Sequence, residues 1–385
     1  MIDPKSLRRI VIAPDSFKGS LTSAQAAAAM REGVREVLPS VTTVLHPVSD
    51  GGEGLVDVLK GPLEAEVRRL EVHGPLPGQR VEARWAYCRA RDLAILEMAE
   101  AAGLTLVPPG LRDPKRTTTY GVGQLLRAAL DCGPEEIVIG IGGSATNDGG
   151  TGMASALGAK FLDAAGKPIP QGGGGLSSLA TIDLTDLDPR IAGTKFTVAC
   201  DVTNPLTGPE GAAAVYGPQK GASPEDVVLL DRGLERLAEI LKRSIGIDIR
   251  KTPGSGAAGG LGGGLVGFCN ALLRPGVEIV LEMTGFNEVM KGADLILTGE
   301  GRLDSQMRFG KALAGVLRRA EQAGVPVIAL VGSTEGDQAK FLGEGGFAAL
   351  STLVSEDVPP EVAIANAAPL LRQRTAMLLR RFLFS

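Results

Sequence analysis

Short apolar runs that stop in polar, glycine-bearing loops just where a helix begins constrain this chain most. Residues 9–14, Arg9-Ile-Val-Ile-Ala-Pro, form an apolar run with β-branched members, the pattern of a buried strand. The loop Asp15-Ser-Phe-Lys-Gly-Ser follows. Thr22 with Gln25 then makes a capping box in front of a helix over 24–37, whose alanines at 26–29 favour the helical state. A second strand over 41–46 ends in Ser49-Asp-Gly-Gly-Glu-Gly54. Polar loops at the carboxyl ends of strands are where open α/β sheets collect their ligands.

From about residue 64 the rhythm changes. Residues 65–72, 81–87 and 93–97 read as short strands separated by turns, one of them holding Pro75, Pro77 and Gly78. Residues 136–142 are a strand entering a glycine bunch, and 195–200 are another. Ser223-Pro-Glu-Asp opens a helix with serine as N-cap and proline at N1, and Val227, Leu230, Leu234, Leu237 and Leu241 mark its apolar face. The simple alternation returns after the glycine run 254–267. It brings strands over 293–298, 326–331 and 348–353 and helices over 311–323 and 362–383. The expected architecture is α/β with two domains. Residues 1–72 and 286–385 form a doubly wound, flavodoxin- or Rossmann-like domain, and residues 73–285 an inserted mixed-sheet α/β domain.

Composition narrows the function classes. Glycine supplies 53 of 385 residues, roughly twice the usual share, and it falls in bunches instead of a collagen period. Lys+Arg number 40 and Asp+Glu 44, and a net charge of −4 is no footprint of a nucleic-acid binder. The first residues lack the apolar core of a signal peptide, and no apolar run is long enough to span a membrane. The chain is therefore expected in the cytoplasm, without nucleic-acid or membrane partners. Cys88, Cys132, Cys200 and Cys269 stand far apart and are expected reduced. His46 and His73 are too few for a zinc cluster and read as structural.

No Walker A sequence is present, since Gly166-Lys167 and Gly310-Lys311 lack the following Ser or Thr. G-x-G-x-x-G occurs at 254–259 and at 262–267. Neither follows a strand, which disfavours a nicotinamide enzyme. No G-x-S-x-G elbow occurs either. The recurring pattern is glycine beside hydroxyls and charges. The run at 140–152 carries Ser144, Thr146, Asn147 and Asp148 on a loop whose backbone N–H groups are unshielded, which suits phosphate. Residues 298–304, Thr-Gly-Glu-Gly-Arg-Leu-Asp, add an arginine for anions and two carboxylates for Mg²⁺ or proton work. The loops at 15–18, at 50–53 and at 201–205, the last with Gln219 and Lys220 beyond it, complete the set. Gly172–Gly175 lacks charged neighbours and reads as a flexible surface loop.

Seven of these stretches resemble the type I glycerate kinases: APDSFKGSLT at 13–22, SDGGEG at 49–54, IGIGGSATNDGGTGM at 139–153, DVTNPL at 201–206, GPQKGA at 217–222, PGSGAAGGLG at 253–262 and TGEGRLDS at 298–305. They run in family order from residue 9 to about 335. Departures are small: Ser49 replaces an expected Ala, and Met307-Arg-Phe309 is an unusual approach to Gly310-Lys311. The resemblance implies ATP-dependent phosphorylation of D-glycerate with Mg²⁺, at the 2-hydroxyl in preference to the 3-hydroxyl. It also implies two α/β domains with the active site in the cleft between them. Lys18 and Arg302 are expected to hold the glycerate carboxylate, with Ser16 and Asp50 also on the substrate. Asp201 is the first candidate base and Asp304 the second. Gly142, Gly143, Ser144, Thr146, Asn147, Asp148 and Gly256 are expected at the ATP phosphates, with Lys220 neutralising charge and Asp148 or Asp50 on Mg²⁺. A kinase of another small hydroxy acid and a non-catalytic nucleotide sensor are the alternatives, and monomer and homodimer both stay open.

Overall fold

The computed structural model describes residues 6–52, 54–303 and 312–384. In chain order its strands are β1 (Arg9–Ile12), β2 (Thr42–Leu45), β3 (Glu66–His73), β4 (Arg80–Cys88), β5 (Leu93–Glu97), β6 (Glu136–Gly140), β7 (Lys160–Leu162), β8 (Thr181–Asp183), β9 (Lys195–Ala199), β10 (Leu272–Arg274), β11 (Leu295–Leu303), β12 (Val327–Thr334) and β13 (Ala349–Thr352). The fold is mixed α/β, with one all-parallel sheet, one mixed sheet and an antiparallel pair, β7 with β8. Residues divide into two compact units, 1–50 with 275–385, and 51–274.

The first unit is built on a parallel sheet of order β13-β12-β11-β1-β2. Its central strands β1, β11 and β12 carry buried runs without alternation because both faces are covered. Ile10, Ile12, Leu295 and Leu297 pack with helices Ser23–Val37 and Ala367–Phe384, while Val11 and Ile296, on the opposite face, are equally buried. The capping box forms as the sequence predicts, with the Thr22 hydroxyl receiving the Gln25 N–H at 3.2 Å. From β1 the chain steps outward to β2, while β11 steps the other way to β12 and β13. β1 and β11 therefore lie side by side at the switch point of the sheet. The helix expected over 362–383 is two helices, Pro360–Ala365 and Ala367–Phe384. Pro369 cannot donate to the Ala365 carbonyl, and its ring crowds that group, so one continuous helix is blocked.

The second unit carries a six-stranded sheet of order β10-β9-β6-β5-β4-β3. It is parallel from β5 through β10 and antiparallel at β3–β4 and β4–β5. The sequence boundary at 72/73 cuts this sheet, because β3 pairs with β4 along its whole length from Glu66↔Tyr87 to His73↔Arg80. The boundary at 285/286 likewise misplaces helix Gly276–Met283, which belongs to the first unit and receives Arg318 and Arg319 on Glu278. Helix Pro224–Ile245 has the Ser223 capping box and buries Leu230, Leu234, Leu237 and Leu241. The stretch at 172–175 is no flexible surface loop. Residues Gly173–Ser178 form a short helix, and Gly173 is so close-packed that a Cβ there would stand 2.4 Å from a Leu230 methyl.

The expected structural reading of the histidines fits. Burial pushes His46 down to about 4, so it is neutral, and its Nε2 meets the Thr284 hydroxyl at 2.8 Å. All four cysteines are free thiols. Among the described residues no helix is long and apolar enough to cross a membrane.

Candidate active site

At the switch point of the first unit lies a cavity of about 330 Å³. Ser16, Lys18, Asp50 and Arg302 line it together, although they come from segments up to 286 positions apart in sequence. Asp15 and Glu300 complete its polar wall, and Leu353, Val354, Pro360 and Ile364 form an apolar one. Backbone contact between the loop after β1 and strand β11 holds the geometry. The Asp15 N–H donates to the Gly299 carbonyl at 2.8 Å, and a Cβ on Gly301 would stand 3.1 Å from the Lys18 nitrogen. A side chain at 301 would push the two apart.

Both cations are within reach of an entering anion. Lys18 pairs with Asp50 at 3.2 Å and Arg302 with Glu335 at 3.2 Å, and the cationic side chains are 72% and 67% exposed. Exposed pairs of this kind contribute little, so an incoming carboxylate can take over either cation cheaply. Asp15 behaves differently. It is buried, and burial, with the negative charge of Asp50 adding to it, pushes its carboxyl up to about 7. The Ser16 N–H, at 2.6 Å, and Lys18 pull the other way. Sequence reasoning passed over Asp15 in favour of its neighbours. The available signal was its place as the first residue after the apolar run of 9–14.

In the second unit the loop after β6 leads through Gly150 into helix Thr151–Ala156. Asp148 is fully buried beneath it. One carboxylate oxygen receives the Thr119 N–H (2.8 Å), the Thr119 hydroxyl (2.9 Å) and the Gly152 N–H (3.2 Å), and the other receives the Gly150 N–H (3.1 Å). Burial raises its pKa against those four donors. Lys220, 1% exposed, donates from Nζ to the Ser144 hydroxyl and to the Thr146 carbonyl, each at 2.7 Å. Burial pushes its ammonium down to about 7, while the charge of Asp148 raises it. Four atoms close to this network, Thr146 Oγ1, Asn147 Nδ2, Asn147 Oδ1 and Ser255 Oγ, are buried with no hydrogen-bond partner among the described residues. Gly142 and Gly143 lie on the same loop, with Gly142 against the backbone of Gly52. Gly256 donates its N–H to the Asn204 carbonyl at 3.0 Å, in the loop that also carries Asp201. That loop follows β9, the strand beside β6.

The chain matches the glycerate kinase family over residues 10–383. A protein named glycerate kinase from Halalkalibacterium halodurans is 50% identical over 368 residues, covering 95% of this chain and 96% of that one. One named glycerate 2-kinase from Escherichia coli is 46% identical over 347 residues, covering 90% and 91%. The crystal structure of a provisionally named glycerate kinase 2 from Salmonella typhimurium LT2 superposes with a TM-score of 0.84 at 44% identity, covering 98% of each chain. This chain belongs to the glycerate kinase family.

Within this glycerate kinase family fold, two expected roles need correction. Asp148 does not fit a metal ligand, because four protein donors already occupy its oxygens in a fully buried position. Lys220 is not a cation presented to phosphate from the loop surface. It is a strut holding Ser144 and Thr146 from behind. Asp50 holds Lys18, and Asp201 is half-buried with electrostatic partners of its own. Asp304, Met307-Arg-Phe309, Gly310-Lys311 and Glu53 lie outside the described residues.

Proposed function

We propose that this chain transfers the γ-phosphoryl group of ATP to D-glycerate, at the 2-hydroxyl, releasing 2-phospho-D-glycerate and ADP. The observation that carries this reading is the first-unit cavity, where two exchangeable cations and a buried carboxylate share the switch point of a parallel sheet. Lys18 and Arg302 bind and orient the carboxylate of the acid. Fixing it in this way supplies the alignment on which phosphoryl transfer chiefly depends. The 2-position is favoured by the similarity to the Escherichia coli protein named glycerate 2-kinase. In the second unit the backbone N–H groups of the loop around Gly142–Gly143 are the donors proposed for the triphosphate. Lys220 and Asp148 keep that loop in shape. The unmet hydrogen bonds of Thr146, Asn147 and Ser255 give it capacity for a polar guest or ordered water.

Among the described residues no group of three or more His, Cys, Asp or Glu side chains could hold a metal ion. Mg²⁺ is proposed to arrive on the triphosphate, the usual mode for this cation, where it would neutralise phosphate charge. The proposed partners are small molecules and the proposed compartment is the cytoplasm, which four free cysteines suit.

The apolar wall of Leu353, Val354, Pro360 and Ile364 favours a second reading, a kinase of a larger 2-hydroxy acid, since glycerate has no apolar group to place there. ATP consumption across a panel of hydroxy acids separates the two, with R302A as control. The glycerate reading expects D-glycerate to give the highest kcat/KM and R302A to raise its KM about tenfold or more. A bulkier acid preferred over glycerate, or an R302A protein with unchanged KM for every acid, would overturn it.

A further inference from the structure

In a 2-hydroxy acid the reacting hydroxyl sits on the carbon next to the carboxylate. A base that takes its proton must therefore stand within hydrogen-bond reach of the place where the cations hold that carboxylate. The first-unit cavity contains Lys18 and Arg302, so the base is to be sought among the carboxylates lining the same cavity: Asp15, Asp50 and Glu300. Asp50 is ion-paired with Lys18 at 3.2 Å, which engages it with the cation. Glu300 is part of β11, in register with Val331 of β12. Asp15 leads the loop after β1. Its backbone is tied to β11 through Gly299, and one carboxylate oxygen is fixed by the Ser16 N–H at 2.6 Å. Asp201, the first candidate from sequence, belongs to the other unit, residues 51–274.

We propose that Asp15 is the catalytic residue that accepts the proton of the substrate hydroxyl. The inference rests on the reading of this cavity as the hydroxy-acid site. In the step, the hydroxyl O–H bond breaks and its proton passes to the Asp15 carboxylate. The freed oxygen pair forms a bond to the γ-phosphorus of the nucleoside triphosphate. The bond from that phosphorus to the β–γ bridging oxygen breaks, and the pair leaves with the nucleoside diphosphate. The proton on Asp15 then returns to solvent. Among the described residues, Lys18 of its own loop and Asp50 from the loop after β2 act on Asp15, and Glu300 and Arg302 of β11 line the same cavity. Burial and Asp50 hold its carboxyl near 7, where a carboxylate is a far better proton acceptor at neutral pH than one of ordinary acidity.

The test is steady-state kinetics of the purified full chain with D-glycerate and Mg·ATP over pH 5.5–8.5. The wild type is compared with D15N and E300Q, and circular dichroism melts check folding. Asp15 as base predicts a wild-type kcat/KM that falls below about pH 7 with a single ionisation. It predicts about 10²–10⁴ lower kcat in D15N with glycerate KM within a few-fold, and retention of the acid limb in E300Q. A D15N enzyme within tenfold of wild-type kcat overturns the proposal, as does loss of the limb in E300Q instead. If D15N does not fold, the wild-type profile still decides, because a flat kcat/KM across the range contradicts an Asp15 base. A wild type that consumes no ATP with glycerate fails the functional reading itself, which distinguishes that failure from an active wild type with an active D15N.

Discussion

Replacing Asp148 by alanine removes the acceptor for four buried donors, the N–H and hydroxyl of Thr119 and the N–H groups of Gly150 and Gly152. Each buried donor left unmade costs about 1–3 kcal/mol, so the gross effect is large. Two things reduce it. The space vacated can admit water to serve some of the donors, and removing a fully buried carboxylate returns its own desolvation penalty, the same penalty that raises its pKa. Four donors at that cost give a gross loss of about 4–12 kcal/mol, and after these two offsets a net loss of about 3–5 kcal/mol is expected. For a unit the size of residues 51–274 it corresponds to a Tm lower by roughly 6–20 °C. Differential scanning calorimetry of the full chain reads it directly. D148N, which keeps an acceptor oxygen but turns a donor toward donors, should fall between wild type and D148A. A D148A protein melting within about 2 °C of wild type, with only its Mg²⁺ dependence altered, would refute the structural role and restore the metal-ligand one.

Two further outcomes follow from the same geometry. K220M should weaken ATP, with KM raised about tenfold, and lower stability by about 1–3 kcal/mol, because Ser144 and Thr146 lose their buried donor; an unchanged ATP KM would remove the loop from the phosphate site. Glu97 accepts the N–H groups of Gly54 and Val56, each at 2.8 Å, and burial pushes its carboxyl up to about 7 from 4.5. The folded state then holds the proton more tightly than the unfolded one, so this group makes stability fall as pH rises from about 4.5 to about 7. Urea midpoints at pH 5 and pH 8 should differ less in E97Q than in wild type, and an equal difference would contradict the assignment.

Much of the fold was legible because its signals are local. The strand over 93–97 and the capped helix behind Ser223 appear where hydrophobic pattern and capping residues place them. The segments at 15–18, 50 and 302 were legible as a set, since strand ends in α/β sheets converge whatever their distance in sequence. What escaped is tertiary. Nothing around Gln219-Lys220-Gly221 announces a buried ammonium, which exists only because Ser144 and Thr146 arrive from the loop after β6. The raised pKa of Asp15 comes from its burial beside β11 and from the charge of Asp50, both remote in sequence, so it has no local signature. The allegiance of β3 was hidden for the same reason, as a strand declares its sheet only through its partner.

Phosphorylation of glycerate at its 2-hydroxyl is tested in one measurement by purified full chain with D-glycerate and Mg·ATP, coupled to enolase with no phosphoglycerate mutase present. Phosphoenolpyruvate should accumulate in step with ADP. ADP formed from glycerate without phosphoenolpyruvate would contradict the 2-position, and no ADP above the glycerate-free control would contradict the kinase reading.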